Sequence, residues 1–146
     1  MIVMKFGGTS VGTAERLRTA CTIVRDRLDE NPFVVVSAHS SPECRMTNTL
    51  IDSAEKALEG NVDTSRVANL QRGICKDLGV PADLVETELE EFARLLFGIS
   101  MIGELTPRTL DLVMSFGERM SHKVFADVLR REFDLNAKAA TAYDLG

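Results

Sequence analysis

Val3-Met4-Lys5-Phe6-Gly7-Gly8-Thr9-Ser10-Val11 runs from an apolar strand straight into a paired-glycine turn. Ile2, Met4 and Phe6 alternate with Val3, Lys5 and Gly7, which gives a β-strand one apolar face and sets a single lysine on the other. Gly7 and Gly8 can take positive φ and let a ligand approach the backbone, while Thr9 and Ser10 add hydroxyl and amide donors at the expected entrance to a helix. An ammonium held in an apolar strand needs an anionic partner, and an oxyanion fits this turn. The residues also admit an edge strand whose Lys5 ends in solvent before an ordinary turn, because short motifs need structural context. Two other phosphate motifs fail on spacing. Walker A places its lysine after the second glycine, whereas Lys5 precedes both, and Gly7, Gly8 and Gly12 do not form Gly-x-Gly-x-x-Gly.

Beyond the turn, Leu17, Ala20, Cys21, Val24 and Leu28 recur at helical spacing until Asn31-Pro32. Phe33-Val34-Val35-Val36 then reads as a buried strand, the second of a parallel β-α-β unit. It opens into the polar loop Ser37-Ala38-His39-Ser40-Ser41-Pro42-Glu43-Cys44. Further helices are predicted from about Thr47 to Leu58, around Val67 to Leu78 with a stop at Gly79, from near Pro81 to Ile99, and from Thr106-Pro107 to about Phe133. Asn136 to Tyr143 reads as a third strand. This order predicts an α/β layered fold with a mainly parallel sheet. Ligands in such sheets bind at the carboxyl ends of the strands, where the loops Gly7 to Ser10 and Ser37 to Thr47 converge.

With 146 residues, 45% hydrophobic and 27% charged, the chain has the size and balance of one globular domain. No run approaches the roughly 18 apolar residues of a membrane span. The N-terminus enters a strand without a basic region or cleavage site, so a cytoplasmic location is expected. Cys21, Cys44 and Cys75 are odd in number and lack metal spacing, which reads as reduced thiols, with Cys21 and Cys75 in the core. A net charge of −5 without a basic stripe is not the footprint of a nucleic-acid binder. Neither a nucleic-acid nor a membrane partner is expected, and the bound anion should be small. His39 is placed on the loop surface and His122 on a helix surface. Glu43 and Cys44 form no metal set with either histidine, so no protein metal site is assigned.

Four motifs together resemble aspartokinase, of the amino-acid kinase family: Lys5-Phe6-Gly7-Gly8-Thr9-Ser10-Val11, Val34-Val35-Val36-Ser37-Ala38, Met46-Thr47-Asn48 and Ser115-Phe116-Gly117-Glu118-Arg119-Met120-Ser121. They span nearly the whole chain in the family's order. The resemblance implies an α/β/α sandwich unrelated to P-loop enzymes, and transfer of the γ-phosphoryl of MgATP to the β-carboxylate of L-aspartate on the route to lysine, threonine and methionine. It implies that Lys5, Phe6, Gly7 and Gly8, with Thr9 and Ser10, form the first ATP-phosphate segment, with Lys5 bridging the transferring oxygens as the catalytic residue. It places Ser37 near the transferring phosphoryl group, and Thr47 and Glu118 on aspartate, with magnesium arriving on ATP. A homo-oligomer is implied as well. The chemistry agrees: a β-carboxylate with a pKa of about 3.9 is already an ionised nucleophile at neutral pH. The difficulty is charge, since a carboxylate must approach a polyphosphate, and Lys5 with backbone amides suits that task. Glu118 shares a helical face with Met114, Ser121 and Phe125 and fits the substrate's α-ammonium; taken alone it also reads as a solvated helix carboxylate. Thr47 reads equally as the N-cap of its helix, and the two roles are compatible.

The chain departs from the family in two places. The family's Ser-Gly-x-Thr-Asn turn is here the longer, glycine-free Ser40-Ser41-Pro42-Glu43-Cys44-Arg45-Met46, in which Pro42 offers no amide, Glu43 repels phosphate and Arg45 compensates. Residues 1–146 also match only the N-terminal portion of the family's catalytic domain, without the nucleotide-binding half and the ACT regulatory domains. This predicts a fragment inactive by itself. The rival expectation is a non-catalytic half-domain that binds a partner or a small anion.

Overall fold

The computed structural model describes residues 1–145. Ile2–Phe6 (β1) and Pro32–Val36 (β2) pair in parallel as a two-stranded sheet, with Lys5 opposite Val35 and Phe6 opposite Val36. Parallel pairing requires a crossover, and Ala14–Arg25 (α1) supplies it. Thr13 caps α1 by accepting from the Arg16 amide at 3.3 Å, and Leu17, Ala20, Cys21 and Val24 bury one stripe of it. Asn31, at φ 51°, turns the chain into β2.

Four longer elements follow: Met46–Leu58 (α2), Ser65–Leu78 (α3), Glu86–Ile102 (α4) and Pro107–Phe133 (α5). A 3-10 turn, Ala82–Val85, precedes α4 where the sequence predicts helix from Pro81 onward. Gly79, at φ 64°, ends α3, while Thr106 accepts from the Thr109 amide at 3.1 Å with Pro107 at the first position to start α5. The α/β class and the parallel sheet expected from the sequence are both present.

The helices cover one face of the sheet. Met4, Phe6, Val34 and Val36 pack on the core, and Phe6 stacks on Phe125 of α5 with ring centroids 5.8 Å apart. Met46, Leu50, Phe92, Leu96 and Met120 are fully enclosed where α2, α4 and α5 meet. The other face is bare among the described residues: Val3 is 63% exposed, Phe33 43% and Val35 40%. The expectation of a strand buried on both sides is therefore corrected for β2. Its apolar run has cover on alternate residues only.

The third strand is corrected too. After Asp134, at φ 53°, the Leu135 amide donates to Leu129 O at 3.1 Å, and Arg130 Nη1 donates to Ala137 O at 3.0 Å. The end of α5 thus holds this segment, which carries no strand and closes in a 3-10 turn, Ala142–Leu145. Its alanines have little preference for the extended state to set against those bonds. Cys21 and Cys75 are buried as expected, and so is Cys44.

Candidate functional site

Both strands end at one edge, and their outgoing loops are locked together. From Phe6 the chain passes through extended Gly7 into a 3-10 turn, Gly8–Ser10. From Val36 the ladder continues one bond further, Ser37 N donating to Phe6 O at 3.1 Å. The chain then crosses over the glycine turn, and Ser40 N donates to Gly8 O at 3.0 Å.

Three glycines make this crossing possible. A Cβ on Gly8 would lie 2.6 Å from Ala38 O, one on Gly12 1.9 Å from Ser40 O, and one on Gly117 2.6 Å from the Ala38 Cβ. This revises the expected reason for the glycines: neither Gly7 nor Gly8 has positive φ, and the space at Gly8 is filled by the chain itself. Only Gly7 of the pair faces open space, so it is where a ligand can approach the backbone closely.

The glycine-free loop is an ordered hairpin. Ser40 and Arg45 form an antiparallel bridge, and Ser41 and Cys44 exchange backbone bonds of 2.7 and 3.3 Å. Ser41 Oγ accepts from Cys44 N at 3.0 Å and donates to Glu43 Oε2 at 3.1 Å. Met46 N donates to His39 O at 3.2 Å and Met46 is fully buried, which starts α2 one residue before the expected Thr47. Thr47 is thus not the N-cap. Arg45 holds that position without a side-chain bond, and Thr47 sits in the first turn.

The candidate residues fall into two adjoining groups. Lys5 and Ser37 alternate onto the open face of the sheet, at its carboxyl edge. Lys5 is exposed and has no ion-pair partner among the described residues. Exposed Glu118, on α5, reaches the same edge of the sheet, its Oε1 accepting from Ala38 N, one residue past Ser37, at 3.4 Å. Phe6 turns the other way, into the core.

The second group is a cavity of about 420 Å³ lined by Thr9, Arg16, His39, Arg45, Thr47 and Asn48, together with the hairpin. It brings Thr9 and Thr47 together but does not include Lys5, Gly7, Gly8, Ser10, Ser37 or Glu118. Ser10 lines a neighbouring hollow beside α1 with Phe6 and Arg16.

His39 corrects another expectation. It is fully buried, with Nδ1 2.7 Å from Val11 O. Burial pushes its pKa down to about 4, so the ring is neutral at pH 7. A lone histidine in a polar loop carries no periodicity that would mark it as buried. Glycines at 8 and 12, spaced to accept a passing chain, are the signal available. His122 is half-buried, Nδ1 lying 2.9 Å from Glu118 O. Among the described residues no group of three or more His, Cys, Asp and Glu is arranged to hold a metal.

A profile of the amino acid kinase family matches residues 1–145. The chain is 36% identical to the chloroplastic aspartokinase 2 of Arabidopsis thaliana over 151 residues, covering 99% of this chain and 27% of that protein. It is 32% identical to the lysine-sensitive aspartokinase 3 of Escherichia coli (strain K12) over 145 residues, covering 94% of this chain and 30% of that one. The crystal structure of E. coli aspartokinase III in complex with aspartate and ADP superposes with a TM-score of 0.73 at 28% identity, over 94% of this chain and 30% of that one. The chain thus spans between 27% and 30% of the length of these relatives.

Proposed function

We propose a function from one premise: the chain belongs to the amino acid kinase family. It is the N-terminal portion of an aspartate kinase catalytic domain, which phosphorylates the β-carboxylate of L-aspartate at the expense of ATP to give 4-phospho-L-aspartate. The observation that carries this reading is the meeting of Lys5, Ser37 and Glu118 at one edge of the sheet, tied by the 3.4 Å bond from Ala38 N to Glu118. The solved relative that contains aspartate and ADP supports it.

The roles follow from charge. The β-carboxylate arrives ionised, so no general base is needed. Lys5 stands free to neutralise oxygens of the transferring phosphoryl group, and the open backbone at Gly7 admits a phosphate. Ser37 contributes a hydroxyl on the same face, with Phe6, Gly8, Thr9 and Ser10 shaping the turn. Glu118 pairs with the substrate's α-ammonium and Thr47 binds its carboxylate side. Magnesium belongs to the nucleotide and screens its charge. Association of copies is part of the same proposal. Of location, the described residues establish that no helix is long and apolar enough to cross a membrane.

The test traps acyl phosphate with hydroxylamine in the presence of aspartate and MgATP, using this chain beside the longest product of its gene. Activity is expected in the longer product and not in residues 1–146 alone. In the active form, Lys5→Ala lowers kcat by about 10²–10³-fold, whereas Glu118→Gln raises the KM for aspartate by about ten- to a hundredfold. Silence in both proteins, with the longer one folded, moves the reading to the non-catalytic half-domain, which the bare face of Val3, Phe33 and Val35 favours.

A further inference from the structure

Within the motif Ser115 to Ser121, Glu118 is the residue with a proposed task, yet its neighbour Arg119 is the better anchored of the two. Arg119 is half-buried on α5 and forms an ion pair with Glu91 of α4. Its guanidinium also lies over the ring of Phe116, 4.4 Å from the centroid. A planar cation held by a carboxylate and laid on an aromatic face keeps one orientation.

The helix that holds it is itself fixed. Phe92, Leu96 and Ile99 bury the inner stripe of α4, and Phe92 meets Phe116 with ring centroids 5.5 Å apart. Lys123 Nζ lies 2.6 Å from Oε1 of Glu88, which is buried. Later residues of α4 thus meet earlier residues of α5, and two ion pairs cross the antiparallel helices one turn apart. Together these contacts set the rotation and the axial position of α5 against α4.

Phe116 to Arg119 make up about one helical turn, and that turn is wedged between α4 and the chain leaving β2. Phe116 and Arg119 face α4, while Gly117 leaves room for Ala38, whose Cβ would lie 2.6 Å from one added to the glycine. Glu118 Oε1 accepts from Ala38 N at 3.4 Å, beyond the ordinary range of about 2.7–3.2 Å. Among the described residues this is the one hydrogen bond of the Glu118 side chain. A carboxylate so loosely tied takes its place from its backbone.

We propose that Arg119 is a positioning residue for Glu118: paired with Glu91 and laid on Phe116, it fixes the turn of α5 that brings the Glu118 carboxylate to the edge of the sheet. In giving Glu118 the α-ammonium of aspartate to hold, this inference rests on the kinase reading. The placing of Glu118 beside Ala38 does not.

The experiment therefore has two readouts. In the 146-residue chain, the backbone amide resonance of Ala38 reports the Glu118 contact, and its position in Glu118→Gln marks loss of the charged acceptor. Arg119→Met keeps an unbranched stem over Phe116 without the charge, and is expected to move the Ala38 resonance towards its position in Glu118→Gln. Glu91→Gln, made on α4, is expected to move it the same way, and Arg119→Lys restores part of the shift. The Arg119 and Glu91 side chains keep 22% and 36% exposure, so water reaches the group left behind and the variants fold. In the active longer gene product, Arg119→Met raises the KM for aspartate about tenfold and leaves kcat nearly unchanged, but adds little when Glu118→Gln is already present. A residue with a structural role alone would add its effect in both backgrounds. An Ala38 resonance unmoved by Arg119→Met and Glu91→Gln, or additive effects on KM, overturns the proposal. The two readings fail separately: the expected Ala38 shifts beside a silent longer product remove the kinase reading alone, and an active longer product beside an unmoved resonance removes the role of Arg119 alone.

Discussion

His39 is neutral in the folded protein down to about pH 4, while in the unfolded chain it takes a proton below about pH 6.5. Between those values the unfolded state binds more protons, so stability present above pH 6.5 drains away as the pH falls towards 4. The loss is on the order of 2–3 kcal/mol. Urea midpoints measured at about pH 7 and about pH 5 should therefore separate more in the natural chain than in His39→Asn, which keeps a donor near Val11 O but cannot titrate. The depressed Glu132 carboxylate beside Arg18 titrates alike in both proteins and cancels from the comparison. Equal midpoint shifts in the two would mean that His39 is not held neutral. At this scale the roles given to Lys5, Thr47 and Glu118 are proposals, and the motifs that hold these residues were legible from sequence. His39 was not, since its burial comes from contacts with Val11 and the glycine turn, 28 residues away in the chain for the Val11 bond.

Between elements, the crossing of the two loops depends on atoms that are missing. Gly12→Ala sets a methyl 1.9 Å from a backbone carbonyl, so the hairpin or the turn must move, at about 1–3 kcal/mol or more. Gly73, inside α3, has open space around its Cβ position, and Gly73→Ala should gain about 0.5–1 kcal/mol from helix propensity. Thermal unfolding of the two variants should move in opposite directions; a destabilised Gly73→Ala or a neutral Gly12→Ala would contradict this packing. Elements with a strong period were legible: α3 ends at Gly79 and α5 begins at Thr106 as expected, whereas α1 stops at Arg25, short of the expected Asn31-Pro32, and leaves Leu28 exposed in a separate 3-10 turn. Two readings failed for tertiary reasons. The chain after Asp134 lost its expected strand to bonds from Leu129 and Arg130. The start of α2 moved because Met46, not Thr47, anchors in the core.

At the scale of the molecule, the sheet divides a built side from a bare one. Met4, Phe6, Val34 and Val36 join a core shared by all five helices, whereas Val3 and Phe33, paired in register, stand exposed beside Val35. A composition of 45% hydrophobic residues cannot say which face of a strand goes uncovered, so the sequence reading of β2 as buried was sound for Val34 and Val36 and wrong for Phe33 and Val35. Apolar groups on a sheet with open edges promote association. Residues 1–146 in isolation should sediment as a concentration-dependent mixture of monomer and larger species. Replacing Val3 and Phe33 together by Thr keeps a residue type suited to strands while removing apolar surface. That variant should sediment closer to a single monomer, with thermal stability little changed because neither side chain contributes to the core. If the natural chain is monodisperse at high concentration, the bare face is not adhesive. If the double variant associates as strongly as the natural chain, the contact lies elsewhere, and the exposed end of α4 with Phe97, Met101 and Ile102 is the next surface to alter.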